Sequence, residues 1–318
     1  MYIAAQRLQF YCIYGVNSMK LRDGKDRRIL LAEFGMICVA LFWGMGFVAG
    51  KFVLEDMGPF DLMGYRYGLA FLTMLILSVR HYKFMTRKTL YSGALIGVLM
   101  FIGNMVQTYG LQFTTPGKQT FIICTYTVII PLLSWIVFRE KIPANMIAAA
   151  AIAFVGIALL TLQDDLSVNF GDALTFVFAL VFSIQVIIIG RLAGELDPFM
   201  FALSQMGTCA VFSVAASFLF GEGLSFEALT SLSFSASLGM IELVFFNTVF
   251  AFVVQTVCQR IVPAHHIAIL MSTETVFGTF FAVTLAGEVF TGRMTVGCVL
   301  MFTSLIVSNI TLDGKARS

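Results

Sequence analysis

Ten runs of about 20 apolar residues, joined by short polar connections, constrain this 318-residue chain more than any other feature. At 1.5 Å per residue, roughly 20 residues of helix cross a bilayer's hydrocarbon core. Only helices or closed barrels satisfy their backbone there. The runs are Leu30–Leu54, Phe60–Val79, Leu90–Phe113, Gly117–Phe138, Ala144–Leu162, Asp172–Arg191, Pro198–Leu219, Phe234–Gln259, Ala264–Ala286 and Thr291–Ile310. Connections such as Glu55-Asp56-Met57-Gly58-Pro59 and Glu195-Leu196-Asp197-Pro198 carry turn formers and charge, and none is long enough for a soluble domain. Composition agrees: 59% of residues are hydrophobic and 12% charged, against roughly 45–50% and 25% in soluble domains. A water-soluble enzyme and a disordered chain are excluded. A net charge of +2 provides no field for nucleic acid. The six cysteines are scattered without a CxxC pair, so neither a disulfide framework nor a metal set is expected. Nothing calls for a cofactor.

Charge bias sets the orientation. With ten spans and the N-terminus inside, sixteen of the 20 Lys and Arg residues fall on the cytoplasmic side and three, Lys51, Lys118 and Arg293, on the outer side. Arg66 lies within the second run, and acids such as Glu55, Asp56, Asp164, Asp165, Glu222 and Glu227 pool outside. Both termini are therefore expected in the cytoplasm. Residues 1–29 read as a basic cytoplasmic tail carrying Lys20, Arg22, Lys25, Arg27 and Arg28. A start at Met19 still supplies that tail, so translation from Met1 or from Met19, leaving 1–18 unmade, stays open.

The chain repeats itself. An offset of 139 lays Glu33 on Asp172, Asp56 on Glu195 and Pro59-Phe60 on Pro198-Phe199. An offset of 148 lays Gln107-Thr108 on Gln255-Thr256, Thr127-Val128 on Thr275-Val276 and Glu140 on Glu288. Residues 30–163 thus form a first repeat of five spans and 170–312 a second. Five is odd, so the halves enter the membrane with opposite orientation. The fold class expected is an all-α integral membrane protein of ten transmembrane helices in two inverted five-helix repeats. Such repeats mark alternating-access carriers, with the ligand near the midplane between the halves.

Several segments carry a resemblance. Ala40-Leu41-Phe42-Trp43-Gly44, Pro131-Leu132-Leu133-Ser134-Trp135 running into Arg139-Glu140-Lys141, Gly171-Asp172-Ala173-Leu174 and Gly287-Glu288 resemble the EamA-like branch of the drug/metabolite transporter superfamily. The likeness spans about residues 30–312. It implies a transporter and is nearly silent on substrate. Where such proteins often carry Leu-Glu-Pro in the ninth span, this chain has Thr273-Glu274-Thr275. The acid is kept without the proline, and Pro131 is expected to loosen the fourth span instead.

Ionisable residues inside spans default to functional readings. Glu274 sits near the midplane of the ninth span and reads either as a proton-carrying or amine-binding acid, or as a protonated carboxyl bonded to a neighbouring helix. Glu242 lies five residues from Asn247, about 140° apart on an α-helix, so the two are expected on different faces. Asn247 and Gln255, about 80° apart, can share a wall. Arg66, in Gly64-Tyr65-Arg66-Tyr67-Gly68, either snorkels to the outer interface or holds a carboxylate in its fork. Gln107 and Gln255 occupy equivalent places and read as a symmetric pair around a ligand or as interhelical bonding. Trp43, Tyr109, Tyr126 and Phe182 suit a pocket for planar ligands, although with 33 Phe in the chain most aromatics face lipid or neighbours. His265-His266 reads as an interfacial cap. No HExxH, GxSxG or P-loop is present, so chemistry on a bound nucleotide is not expected.

The function expected is secondary export of small organic metabolites such as amino acids or related compounds, with protons as a candidate coupling ion. The partners are substrate, bilayer and, for the chain itself, monomer or homodimer, with a bacterial plasma membrane as location. Nucleotide-sugar exchange is the alternative within the superfamily. An intramembrane enzyme or a non-transporting scaffold is the alternative outside it.

Overall fold

The computed structural model describes residues 24–114, 116–161, 169–285 and 291–309. Asp164, Asp165, Glu288 and most of the basic N-terminal tail lie outside the described residues. Helices stand at all ten expected places: α1 Gly24–Leu54, α2 Pro59–Leu77, α3 Arg87–Gly110, α4a Pro116–Cys124 with α4b Tyr126–Phe138, α5 Ala144–Thr161, α6 Phe170–Leu192 and α7 Pro198–Phe220. They continue with α8 Phe234–Gln259, α9a Ala264–Met271 with α9b Glu274–Leu285, and α10 Gly292–Asn309. Eight of these stretches are long and apolar enough to cross a membrane. The helices at Ala144–Leu159 and Gly292–Ser308 are shorter apolar segments. The chain is an integral membrane protein, helical throughout the described residues. Large side chains point outward accordingly, among them Phe226 and Phe234, each more than 80% exposed.

Helix ends follow local chemistry. Pro59 and Pro198 open α2 and α7 at their first turn, where a missing N–H costs nothing. Asn169 and Asp172 form a reciprocal capping box at the start of α6. Asp61 is buried at the start of α2 and accepts from Ser217 Oγ at 2.5 Å, Glu222 N at 3.1 Å and Gly223 N at 3.2 Å. It thereby ties the end of α7 and the Gly223 turn, where φ is +81°, to α2.

Small residues let the backbones approach. A Cβ on Gly97 would lie 2.5 Å from the Gln205 carbonyl oxygen, and one on Gly44 2.6 Å from that of Glu274. The first contact holds α3 on α7 and the second α1 on α9b. The remaining close pairings are α2 with α7, α3 with α6, α1 with α8, α6 with α4a and α4b, and α5 with α10.

Two helices change register where the sequence expected one smooth span. The fourth is interrupted at Thr125, not at Pro131, which sits inside α4b. Thr125 Oγ1 donates to the Ile122 carbonyl at 2.6 Å, and the Thr125 N–H also turns to Ile122. The ninth is interrupted at Ser272-Thr273, without a proline. Ser272, Thr273 and Thr275 each donate a hydroxyl to the carbonyl three residues back, at 2.7–2.8 Å. Hydroxyl side chains compete with the backbone in this way, and for one turn the ladder tightens to i→i−3 bonds. Thr125 and Thr273 are themselves 148 residues apart.

Candidate functional site

A cavity of about 80 Å³ with mixed polar and apolar walls opens among α1, α2, α3, α4a, α6, α8 and α9b. That is room for a handful of waters. It runs from Leu54, Leu62 and Leu111, at the helix ends beside the Asp56 turn, inward past Trp43 and Gln107 to Glu274. From Trp43 to Leu54 this is about 16 Å along α1.

At its inner limit Glu274 is 3% exposed, and its Oε1 accepts from Tyr126 Oη at 3.2 Å and Cys124 Sγ at 3.1 Å. The register changes in the two broken helices turn both segments toward each other. Tyr126 opens α4b and Glu274 opens α9b, so the 148-residue relation joins two side chains in direct contact. Aromatic rings form the wall above them. Phe182 meets Tyr126 edge-on at 5.5 Å and Trp43 at 5.6 Å, and stacks on Phe178 at 5.4 Å. Trp43 Nε1 donates to the Asn247 carbonyl at 3.0 Å.

Arg66 lines the cavity from α2, at the depth of Phe42 and Trp43 on α1, to which Asn247 links it. It is buried and does not snorkel out: Nε donates to Thr248 Oγ1 at 2.8 Å and Nη2 to Asn247 Oδ1 at 2.7 Å. Asn247 Nδ2 in turn donates to the Phe42 carbonyl at 3.0 Å. One amide thus fastens α8 to both α1 and α2. A π-helical segment, Glu242–Phe250, produces this arrangement. The wider turn of i→i+5 bonding brings residues five apart back toward one face. The α-helical expectation that Glu242 and Asn247 diverge is therefore corrected: both serve the Arg66 side, Asn247 by its bond and Glu242 by charge.

The same winding separates Asn247 from Gln255. Asn247 lines the cavity and Gln255 does not. Gln255 is fully buried, and neither end of its amide has a described partner. The symmetric pair of glutamines around a ligand is therefore not assembled here; Gln107 reaches the cavity alone. Tyr109 packs on Phe60 and Phe113 instead of lining the cavity. Sequence reasoning missed Gln119 and Asn104, both cavity residues. Gln119 Nε2 donates to the Gln107 carbonyl at 2.8 Å; its place just after Pro116-Gly117 was the available signal.

The opposite end of the bundle is packed shut. Met36, Val39, Val186, Ile130, Ile267 and Met271 are fully buried there. His266 is also buried, its Nε2 3.1 Å from Glu33 Oε1, which corrects the interfacial reading. Gln259 Nε2 donates to the Val186 carbonyl at 2.8 Å. Ion pairs ring this seal: Arg191 with Glu140 at 2.6 Å, His81 with Asp197 at 3.0 Å, and Lys88 with Glu195.

The EamA-like transporter family matches twice, over residues 30–162 and 169–310. An uncharacterized transporter of Archaeoglobus fulgidus is 29% identical over 300 residues, covering 94% of this chain and 92% of its own. The uncharacterized transporter YoaV of Bacillus subtilis is 24% identical over 292 residues, covering 88% and 97%. A solved crystal structure with 14% identity shares the fold at a TM-score of 0.72, covering 87% of this chain and 96% of that one.

Proposed function

The chain belongs to the EamA-like transporter family, and from that premise we propose that it exports small organic metabolites, such as amino acids, by proton-coupled alternating access. The observation that carries this reading is the Glu274–Tyr126 contact at the closed end of a one-sided cavity. An ionised carboxylate at that depth is costly without water or a partner. Carrying a proton removes that cost, so Glu274 is the group that takes a proton from one side and gives it up to the other. Exposing that site first to one side and then to the other converts a proton gradient into solute flux.

An arrangement of ten spans as two inverted repeats belongs to this reading, and the symmetry of the helix pairings supports it. Exchanging α1 with α6, α2 with α7, α3 with α8, α4 with α9 and α5 with α10 maps the helix pairings onto themselves. The α1–α8 contact becomes α6–α3, α1–α9 becomes α6–α4, and α2–α7 and α5–α10 return to themselves. By the charge bias, the cavity mouth beside Asp56 faces outward and the seal at Glu33 and His266 faces the cytoplasm. The aromatic wall suits a planar or apolar body. A nucleotide diphosphate wants several cations, and among the described residues Arg66 is the single basic residue lining the cavity.

Reconstituted in proteoliposomes, the protein is expected to move a labelled amino acid or related solute, chemically unchanged, against its gradient when a pH difference is imposed. Dissipating that difference with a protonophore should end accumulation. Accumulation that persists with the gradient collapsed counts against proton coupling, and solute recovered in altered form counts for an enzyme. Topology is tested separately. Reporter fusions at Lys83 and Lys315 should read cytoplasmic and one at Asp164 external. The reverse pattern overturns the assigned orientation.

A further inference from the structure

Arg66 is a buried cation whose described bonds go only to neutral groups. Nε and Nη2 are held by Thr248 and Asn247, which fixes one edge of the guanidinium against α8. The described bonds do not use Nη1, and Arg66 lines the cavity. A planar fork with N–H groups left over matches the geometry of a carboxylate.

A buried charge is retained only when something compensates it. The acid on that side is Glu242, five residues before Asn247 on the π-helical segment whose i→i+5 winding turns both toward Arg66, though not in ion-pair contact with it. Glu242 is 3% exposed, and neither of its carboxyl oxygens has a described hydrogen-bond partner. Arg66 also meets the Tyr67 ring, 5.1 Å from its guanidinium carbon, and feels Cys209 on α7. Tyr67 and Cys209 are a neutral phenol and a neutral thiol at ordinary pH. The ionisable group on that half of α1 is Lys51, which is exposed. Glu274 is the acid that lines the cavity, and its Oε1 is engaged by Tyr126 and Cys124, whereas Glu242 is buried behind the wall. Among the described residues Glu242 is therefore the acid on the Arg66 side, and the Asn247 amide is the polar group near both.

We propose that Arg66 is the anion site of the cavity, that it takes the carboxylate of a ligand with an aromatic or apolar body, and that Glu242 is the counter-ion this carboxylate displaces. When the ligand anion docks on Arg66, the Glu242 carboxylate loses its compensating charge and takes a proton from solvent. One anion and one proton enter together, so the buried site keeps the same net charge. Conversely, ionised Glu242 weakens anion binding. The two effects are one coupling free energy seen from either side. This inference deepens the transport reading only by treating the same cavity as the ligand site; it asks for binding, not flux.

The chain has two tryptophans, Trp43 in the cavity wall and Trp135, which is 61% exposed. In the Trp135→Phe background, Trp43 fluorescence reports the cavity directly. The full chain in lipid nanodiscs is titrated with benzoate, and with benzamide as the uncharged isostere. Benzoate should quench saturably and benzamide should not. Benzoate stays ionised between pH 8 and pH 6, yet its affinity should rise as pH falls, by up to about tenfold per pH unit for one linked proton. Binding in weak buffer should take up that proton from a dye indicator. Glu242→Gln, equal in shape and permanently neutral, should abolish both the pH dependence and the proton uptake, and should bind at every pH as tightly as the parent does at pH 6. Arg66→Gln should lose binding; if it fails to fold, Glu242→Gln alone decides. Absence of benzoate quenching, equal quenching by benzamide, or a pH dependence that survives Glu242→Gln overturns the proposal. A chain that binds benzoate in this way but moves no solute in proteoliposomes overturns the transport reading and leaves the anion site standing.

Discussion

Glu274→Gln is expected to reduce pH-gradient-driven accumulation to the level of protein-free liposomes while solute exchange at equal pH continues. The amide keeps the size of the side chain and can still accept from Tyr126 Oη and Cys124 Sγ, the two donors that hold Oε1 in place. It cannot gain or lose a proton, so the cycle loses its coupling step while its path and fold remain. A carboxylate whose duty is to hold a substrate amine gives a different result: both gradient-driven uptake and equal-pH exchange fall together. Counterflow and gradient-driven flux, measured side by side on the same vesicles, separate these outcomes. Unchanged accumulation in the variant removes Glu274 from the mechanism.

The second large effect concerns stability. Gly44→Ala places a methyl group 2.6 Å from the Glu274 carbonyl oxygen and 2.7 Å from the Gly278 nitrogen. Both are backbone atoms, so no side chain can swing aside. Helix propensity alone favours Ala over Gly by about 1 kcal/mol. Overpacking against rigid neighbours costs about 1–3 kcal/mol, and here it should win. The variant is expected to unfold at lower temperature in detergent, and Gly44→Leu to fail to yield monodisperse protein. Gly50→Ala, on the same helix, finds its nearest atom 3.9 Å away and should match or exceed the parent in thermal stability. Equal melting of Gly44→Ala and Gly50→Ala counts against the close α1–α9b contact.

Hydropathy made the helices legible because a bilayer imposes a length, and ten runs of that length leave few alternatives. The repeat was legible at Pro59 and Pro198, where proline must open a helix. Tyr126 and Glu274 directly precede the matched Thr127-Val128 and Thr275-Val276, so the fixed offset places them at equivalent positions without any knowledge of faces. Faces themselves were not legible where winding departs from 3.6 residues per turn. Glu242, Asn247 and Gln255 were assigned to walls by α-helical angles, and the π-helical segment at Glu242–Phe250 rotated all three relative to one another. Nothing in Glu242-Leu243-Val244-Phe245-Phe246-Asn247 announces such a segment. It is held by tertiary bonds from Arg66 and Trp43, two helices distant in sequence. Pro131 was a reasonable hinge from its missing N–H, yet the interruptions fall at Thr125 and at Ser272-Thr273. The hydroxyls that make them are common residues in any apolar span.

That choice of hydroxyls over proline changes what kind of joint the ninth helix contains. A proline break is written into the covalent chain, since its nitrogen has no hydrogen to give back. At Ser272-Thr273 every backbone N–H is intact; the carbonyls of Ile269 and Leu270 accept side-chain hydroxyls, and that of Leu270 also the Thr273 N–H at 3.3 Å. Rotating the hydroxyls away returns those carbonyls to the α-helical ladder, so α9a and α9b can fuse into one straight rod. Such fusion would relax the tightened turn and rotate Glu274 about the helix axis relative to Tyr126. The joint is thus reversible in principle, and its stiffness is set by a few hydrogen bonds. Thr273→Pro would make the break permanent.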